Sequence, residues 1–405
     1  MKILIIKQLF DPEPTARSLD FALELKKNGH QVEVITSFPS YPHGRIYKDY
    51  KQKLFYRENI QGIDIIRVPI FPSQSGKGLP RMLNYMSYAL SATFLGLPRA
   101  KKHDVAFAYH GALPVGIPAM INKIFRGVPF VYDVNDIWPD TLEATGMLKN
   151  KFLLSIVNAW CQLTYKMASK ITVLSEGFKE KLITRNVPAH KVEFVNQWSR
   201  NKPVDLTNIE SEIKELFDPA AFNVLYAGNV GKAQSLFSVI DAFKELGAEY
   251  PHIVFTILGD GVERLDLMKY VEEHKIDNVK FLERVKPTEV GKYLECADVL
   301  LVHLKDDPLF RITIPSKIIG CHFAGKPILL GIKGDAERVI AKSGAGFCFE
   351  PDNISDLKEK ILLVAQMEKQ TLLKMGENGK EFYEKYCSID VNTKHFIEIF
   401  NAIRK

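Results

Sequence analysis

Ile314-Pro315-Ser316-Lys317, inside DDPLFRITIPSKIIGCHFAGKPILLG (306–331), puts a hydroxyl and an ammonium where a helix is expected to begin. Backbone N–H groups at a helix start have no intrahelical acceptor, so such a turn is suited to holding an anion. Thr313 is placed to cap it, and Pro315 suits the first turn because its missing N–H would be unpaired there. Taken alone, the stretch reads first as an ordinary strand-to-helix connection with a surface lysine. A second group of candidates ends two apolar runs: His110 closes VAFAYH, and Asn135-Asp136 closes PFVYDVND. An imidazole and a carboxylate brought to one sheet edge could serve proton transfer, although a lone histidine there is as often structural.

Positioning these groups requires parallel sheets with helical crossovers. DVLLVHL (298–304) is apolar throughout, as expected of a strand covered on both faces. MKILIIK, ARSLDFALELKKNGH and QVEVITSFP read as strand, helix and strand, the helix ending at Asn28-Gly29. The loop QLFDPEPTARS lies at the first strand's carboxyl end, where open α/β sheets bind ligands, but it lacks the GxGxxG of a nicotinamide site. A Tyr-, Lys- and Arg-rich insertion follows and returns to a strand at Ile63 to Val68. Residues 78–104 read as a long or bent helix, apolar nearly all round with basic ends, and a core helix is favoured over one lying on a membrane. After the polar stretch 199–219, read as a linker, the α/β pattern starts again at FNVLYAG.

At 405 residues the chain exceeds what one core usually organises. The reading is two Rossmann-like α/β parallel-sheet domains, 1–200 and 201–380, facing across a cleft, followed by helices at 381–405. Cys161, Cys296, Cys321, Cys348 and Cys387 form no CxxC pair, so reduced buried thiols and no thiol-bound metal are expected. No apolar run reaches the roughly 18 residues of a membrane span, and the N-terminus reads as a strand rather than a signal peptide, which points to a cytoplasmic protein. Net charge is +6, but residues 1–200 hold 27 Lys and Arg against 16 Asp and Glu while the remainder holds 27 against 32. A basic first half suits an anionic partner or a merely solvated surface.

The ordered series YAGNVGKAQSL, ILGDGVER, VKFLERV, ADVLLVHLKD, IPSKIIGCHFAGKPIL and GAGFCFEP resembles the C-terminal half of family 4 retaining glycosyltransferases of the GT-B fold. FPSYPHGRIY, VPIFPS, LNYMSYALS and VNDIWPDTLEATGML resemble the bacterial branch that builds O-antigens, capsules and other exopolysaccharides. The resemblance implies a nucleotide-sugar donor, a UDP-sugar first, in the second domain and a lipid-linked or glycan acceptor in the first. It implies no cofactor, no metal and no nucleic acid partner, with peripheral contact to an anionic inner membrane face. Lys232, Arg311, Lys317 and the helix start at Ser316 would converge on the diphosphate, each stabilising charge on the departing phosphate. Ile314 and Pro315 belong to the same motif. The main chain at Arg284-Val285 would hold the base, and Gly228-Asn229 would approach the phosphates or the sugar. Asn135, Asp136 and His110 are the candidates for polar contact with the reacting sugar. Domain closure would hinge near residues 200 and 380.

The chain departs from the family pattern at four places. Ile312 and Gly320 stand where the family carries two glutamates, and Asn135 stands where it carries a histidine. Pro14-Thr15 replace a glycine pair, and Asn229 and Gln234 replace an arginine and a lysine, which leaves Lys232 to carry that charge. Two other activities share this architecture: a nucleotide-sugar 2-epimerase, which needs acid and base groups that the second half lacks, and a non-catalytic nucleotide-sugar-binding protein.

Overall fold

The computed structural model describes residues 1–73, 78–144, 147–201, 203–204 and 209–404. Two compact units emerge, Met1–Val195 with Asn392–Lys405, and Asn196–Val391. The divisions drawn from sequence at 200 and 380 thus become 195 and 391, so residues 381–391 stay with the second unit. Residues 202 and 205–208 of the expected linker lie outside the described residues.

Among the described residues of the first unit, eight strands form one sheet, in the order β3-β4-β2-β1-β5-β6-β7-β8. These are β1 (Lys2–Ile6), β2 (Gln31–Ser37), β3 (Tyr56–Ile60), β4 (Ile63–Val68), β5 (Val105–His110), β6 (Phe130–Val134), β7 (Lys170–Val173) and β8 (Val192–Phe194). All neighbours run parallel except β3 and β4. That antiparallel edge hairpin was not foreseen within the basic insertion. Its turn is Gln61-Gly62, with φ of 53° and 82°, the two left-handed residues that match the twist of a tight hairpin.

The helices of this unit are α1 (Leu19–Lys27), α2 (Gly78–Ser91), α3 (Gly116–Arg126), α4 (Asp140–Ala144), α5 (Lys151–Met167) and α6 (Glu176–Thr184). α2 continues through a π-turn at Ala92–Gly96 and a 3-10 turn at Leu97–Arg99, giving the bent element expected. It is a core helix on one side only: Asn84, Tyr88 and Ala89 are buried, while Leu79, Leu83 and Leu90 face outward.

The second unit holds β9 (Phe222–Ala227), β10 (Ile253–Leu258), β11 (Val279–Leu282), β12 (Val299–His303), β13 (Ile328–Gly331) and β14 (Gly346–Cys348), all parallel, in the order β11-β10-β9-β12-β13-β14. Chain order reverses between β9 and β12, and the crevice beyond the carboxyl ends of two such strands is where an open sheet admits a ligand. The helices are α7 (Ser211–Glu215), α8 (Leu236–Gly247), α9 (Arg264–Glu273), α10 (Val290–Cys296), α11 (Pro308–Arg311), α12 (Ser316–Ala324), α13 (Asp335–Ser343), α14 (Ile354–Ala365), α15 (Lys369–Phe382) and α16 (Ile389–Ile403). Alternate residues of the strands feed two apolar layers: Val224, Tyr226 and Phe255 face one side, Leu225, Leu300 and Leu330 the other. Most of α16 belongs to the first unit, where Phe396 packs on Phe21 and Phe107 at ring distances of 5.1 and 5.3 Å. All five cysteines are free. Among the described residues, no helix is long and apolar enough to cross a membrane.

Candidate active site

At the reversal point of the second sheet, β9 delivers Tyr226 and then turns at Gly228. The Tyr226 hydroxyl donates to Asn229 O at 2.5 Å and accepts from Lys317 Nζ, which also lies 3.9 Å from the ring centre. Lys317 is half-buried, with its ammonium wedged against Tyr226 and Gly228. That burial pushes the ammonium down to about 7. A methyl added at Gly228 would fall 2.3 Å from Lys317 Cε, and the residue's φ of 150° also favours glycine. Gly259, at the end of β10, approaches still closer: a methyl there would lie 1.9 Å from Gly228 O. Glycines in AGN and GDG thus let two loops pack backbone to backbone beside the lysine.

The loop from Asn229 to Gln234 is folded onto its own side chains. Gln234 Oε1 accepts from Asn229 Nδ2 and from Gly231 N, both at 3.1 Å. The two residues standing in place of family cations therefore bond each other. His303 fixes the loop from β12, with Nδ1 2.8 Å from Gln234 O and Nε2 accepting from Asp352 N at 3.1 Å. This pairing places the proton on Nδ1, and burial pushes the ring's pKa down. Lys232 is exposed on the loop's 3-10 turn.

Asp306 and Asp307, on the loop after β12, are already occupied. Arg311 clasps Asp306 with two bonds of 2.9 and 2.7 Å, and Lys305 lies 3.8 Å from Asp307. Arg311, expected on the diphosphate, is thus turned to its own loop, whereas Lys317 and Lys232 have no carboxylate partner among the described ion pairs. Thr313 does not cap α12: its hydroxyl donates to Leu309 O at 2.8 Å. Pro315 is the N-cap, extended at ψ 137°, with no side-chain cap, so the N–H groups of Ser316 and Lys317 open the helix without a side-chain acceptor. Ile314 packs its side chain into the core beneath. Arg284 and Val285 follow β11, with Arg284 exposed and no main-chain bond of either residue used by the described protein groups.

In the first unit the strand ends are closed by internal pairs that the sequence did not reveal. Asp133 on β6 forms a fully buried ion pair with Arg17 and accepts from Thr172 Oγ1 at 2.6 Å. Asn135 turns its amide back on Asp133, donating to O at 3.0 Å and to Oδ2 at 3.1 Å. Its Oδ1 is left as the acceptor that could meet a sugar hydroxyl. Desolvation raises the Asp136 carboxyl's pKa, with Arg81 opposing. His110 corrects the sequence reading. It is 0% exposed, stacked on Tyr132 at 5.2 Å and against Trp138, and neither ring nitrogen has a hydrogen-bond partner among the described residues. Burial pushes it down to about 3, so it is a neutral core histidine rather than a group that touches substrate. Glu13, also unforeseen, accepts from Ser40 N and Tyr41 N at 2.7 and 2.8 Å, pinning the loop after β2 to the loop after β1. Among the described residues, no three His, Cys, Asp or Glu side chains are placed to hold one metal ion.

Residues 14–198 match the family model described as Glycosyl transferase 4-like domain, and residues 208–382 match the one described as Glycosyl transferases group 1. With two parallel-sheet domains in that order, the protein is a glycosyltransferase of GT-B fold. The two matches together take in most of the chain, which belongs to the family 4 glycosyltransferases. It is 24% identical, over 88% of its length and 90% of the relative's, to an Escherichia coli K12 protein named for colanic acid biosynthesis, glycosyl transferase WcaI. It is 26% identical to the alpha-monoglucosyldiacylglycerol synthase of Acholeplasma laidlawii, over 68% of this chain and 67% of that one. Anabaena Alr3699/HepE, solved with UDP and glucose, shares the fold with a TM-score of 0.71 over 100% of both chains at 15% identity.

Proposed function

We propose that the protein moves a sugar, with retention of anomeric configuration, from a nucleoside-diphosphate sugar to a lipid-linked or glycan acceptor in cell-surface polysaccharide or glycolipid synthesis. The observation that carries this reading is Lys317. Its ammonium has no carboxylate partner among the described residues and sits at the start of α12, which no side chain caps, at the reversal point of the second sheet. A diphosphate suits that vacancy of charge, and Lys232 adds a second cation from the neighbouring loop. UDP is the first choice of nucleotide, supported by its presence in the Anabaena neighbour. The main chain of Arg284-Val285 is assigned to the base, and Gly228-Asn229 to the phosphates.

In the step itself the bond from sugar C1 to the diphosphate oxygen breaks and the acceptor hydroxyl bonds to C1 on the same face. Its proton passes to the departing phosphate, so no protein base is needed. Lys317 and the α12 N–H groups stabilise the charge that grows on the leaving group, without a metal. Asn135 Oδ1 and the Asp136 carboxyl are assigned to hydroxyls of the reacting sugars. A lipid acceptor is supported by the Acholeplasma relative's name; action at an inner membrane face is a further part of the proposal. The test is a calorimetric panel of UDP-, GDP- and CDP-sugars, followed by nucleotide release and anomer analysis of the product. Binding and slow hydrolysis of one UDP-sugar, then an α-linked product from an α-linked donor, is expected. Binding without any turnover across acceptors would favour a non-catalytic protein, and no binding would remove the donor site.

A further inference from the structure

At the amino ends of the first unit's strands, a cavity of about 320 Å³ opens between the starts of β1, β2 and β4 and the segment just before β5. It is at the small end of ligand pockets and far larger than a single oxyanion. Four lysines line it, Lys2, Lys26, Lys101 and Lys102, against two carboxylates, Glu33 and Asp64.

The carboxylates leave most of that charge unmet. Lys101 Nζ pairs with Asp64 at 2.6 Å, and Asn59 donates to the other Asp64 oxygen at 2.8 Å. Glu33 Oε2 accepts from Lys101 N at 2.9 Å and lies 3.2 Å from His103 Nε2. Lys2, Lys26 and Lys102 have no ion pair among the described residues. Lys26 is nonetheless held in place: its ammonium donates to Gln61 O at 2.8 Å and fills the space left by Gly62, where a methyl would fall 2.0 Å from Nζ. Cations gathered in a concavity focus the field there and attract a counter-ion.

Two polar atoms of the wall are equally unmet. Glu33 is 3% exposed, and its Oε1 is buried with no hydrogen-bond partner among the described residues, as is His30 Nε2. Lysines alone would suit any anion, but a buried carboxylate oxygen without a donor calls for an O–H as well. We infer that the cavity binds a small phosphorylated polyol of the sugar-phosphate class, its phosphate among Lys2, Lys26 and Lys102 and a hydroxyl donating to Glu33 Oε1. The lining residues precede or begin strands, whereas Glu13, Asn135 and Asp136 follow them, so the two ends are separated by the five residues of β1, about 17 Å. Occupancy of this site needs neither donor nor acceptor.

The full chain is titrated calorimetrically with glucose 1-phosphate and glucose 6-phosphate, with glucose and inorganic phosphate as controls. One sugar phosphate is expected to bind with a Kd of about 0.1 mM, and about ten-fold more tightly than either control. Lys2→Gln with Lys102→Gln, both at exposed positions, should weaken it about ten-fold with circular dichroism unchanged. Glu33→Gln should weaken the sugar phosphate about five-fold and leave inorganic phosphate as before. Lys317→Ala, in the second unit, should change nothing. No binding of either sugar phosphate, or inorganic phosphate bound as tightly, an adventitious ion only, overturns the inference. An affinity unaltered in the lysine pair or in a folded Glu33→Gln variant does so too. Loss of binding in Lys317→Ala also overturns it, since the sugar phosphate would then sit in the donor site.

Discussion

The carboxyl ends of the two sheets are built from similar groups and used in opposite ways. In the first unit the charges are spent internally: Arg17 on Asp133, Arg67 on Glu58, and Glu13 on main-chain N–H groups. In the second, Asp306 and Asp307 are occupied by their own loop, and Lys317 is left facing a tyrosine and a glycine. A buried carboxylate with its partner in place rigidifies a loop, whereas a buried ammonium without one holds a free-energy cost that an anionic ligand can relieve. The first arrangement shapes a surface; the second awaits a charge.

Removing Asp133 should give the largest effect. Asp133→Ala leaves Arg17 buried against an absent partner and is expected to cost about 3–5 kcal/mol in denaturant unfolding of the first unit. A loss under about 1 kcal/mol would mean that the pair closes nothing. Gly259→Ala comes next. Its methyl meets Gly228 O at 1.9 Å, so the loops must part, with about 2 kcal/mol of stability lost and donor nucleotide affinity falling with it. Unchanged affinity in a folded variant would separate the loop contact from the site.

The pH dependence sharpens the contrast further. Lys317 is held at about 7 in the free protein against 10.5 ordinarily. Because the unfolded chain binds the extra proton between those values, free-protein stability from this group should rise with pH from about 7 towards 10.5. Binding of a diphosphate favours the ammonium, so affinity should fall by up to about ten-fold per pH unit above 7, with proton uptake visible as a buffer-dependent heat. Affinity flat across that range would show the lysine charged throughout. The smallest effect is expected at His110. Depressed to about 3 from 6.5, it makes stability fall as pH drops below 6.5, but His110→Phe should leave the pH–rate profile between about pH 5 and 8 within about two-fold of wild type. A displaced limb in that profile would restore it as a group that acts in the reaction.

What could be read from the chain alone was whatever is written locally. Apolar runs such as MKILIIK and DVLLVHL fall on β1 and β12, and Pro315-Ser316-Lys317 open α12. Thr313 was misread as the cap because α11 adds a short turn just before it, whose Leu309 carbonyl takes the hydroxyl. The β3–β4 hairpin was missed because Gln61-Gly62 lacks the usual Asn-Gly or Asp-Gly signature. Arg17 with Asp133, and Glu13 with the loop at Ser40, join positions far apart in sequence, and no local pattern records such pairs. His110 was misplaced for a similar reason: the aromatic rings of Tyr132 and Trp138 that bury it come from elsewhere in the chain.

The most direct test of a donor diphosphate site in the second unit is the calorimetric titration of UDP into the wild type and into Lys317→Ala. One site is expected in the wild type, with an affinity at least about ten-fold weaker in the variant, whose melting temperature is not lowered. Equal UDP affinity in the two proteins would contradict it.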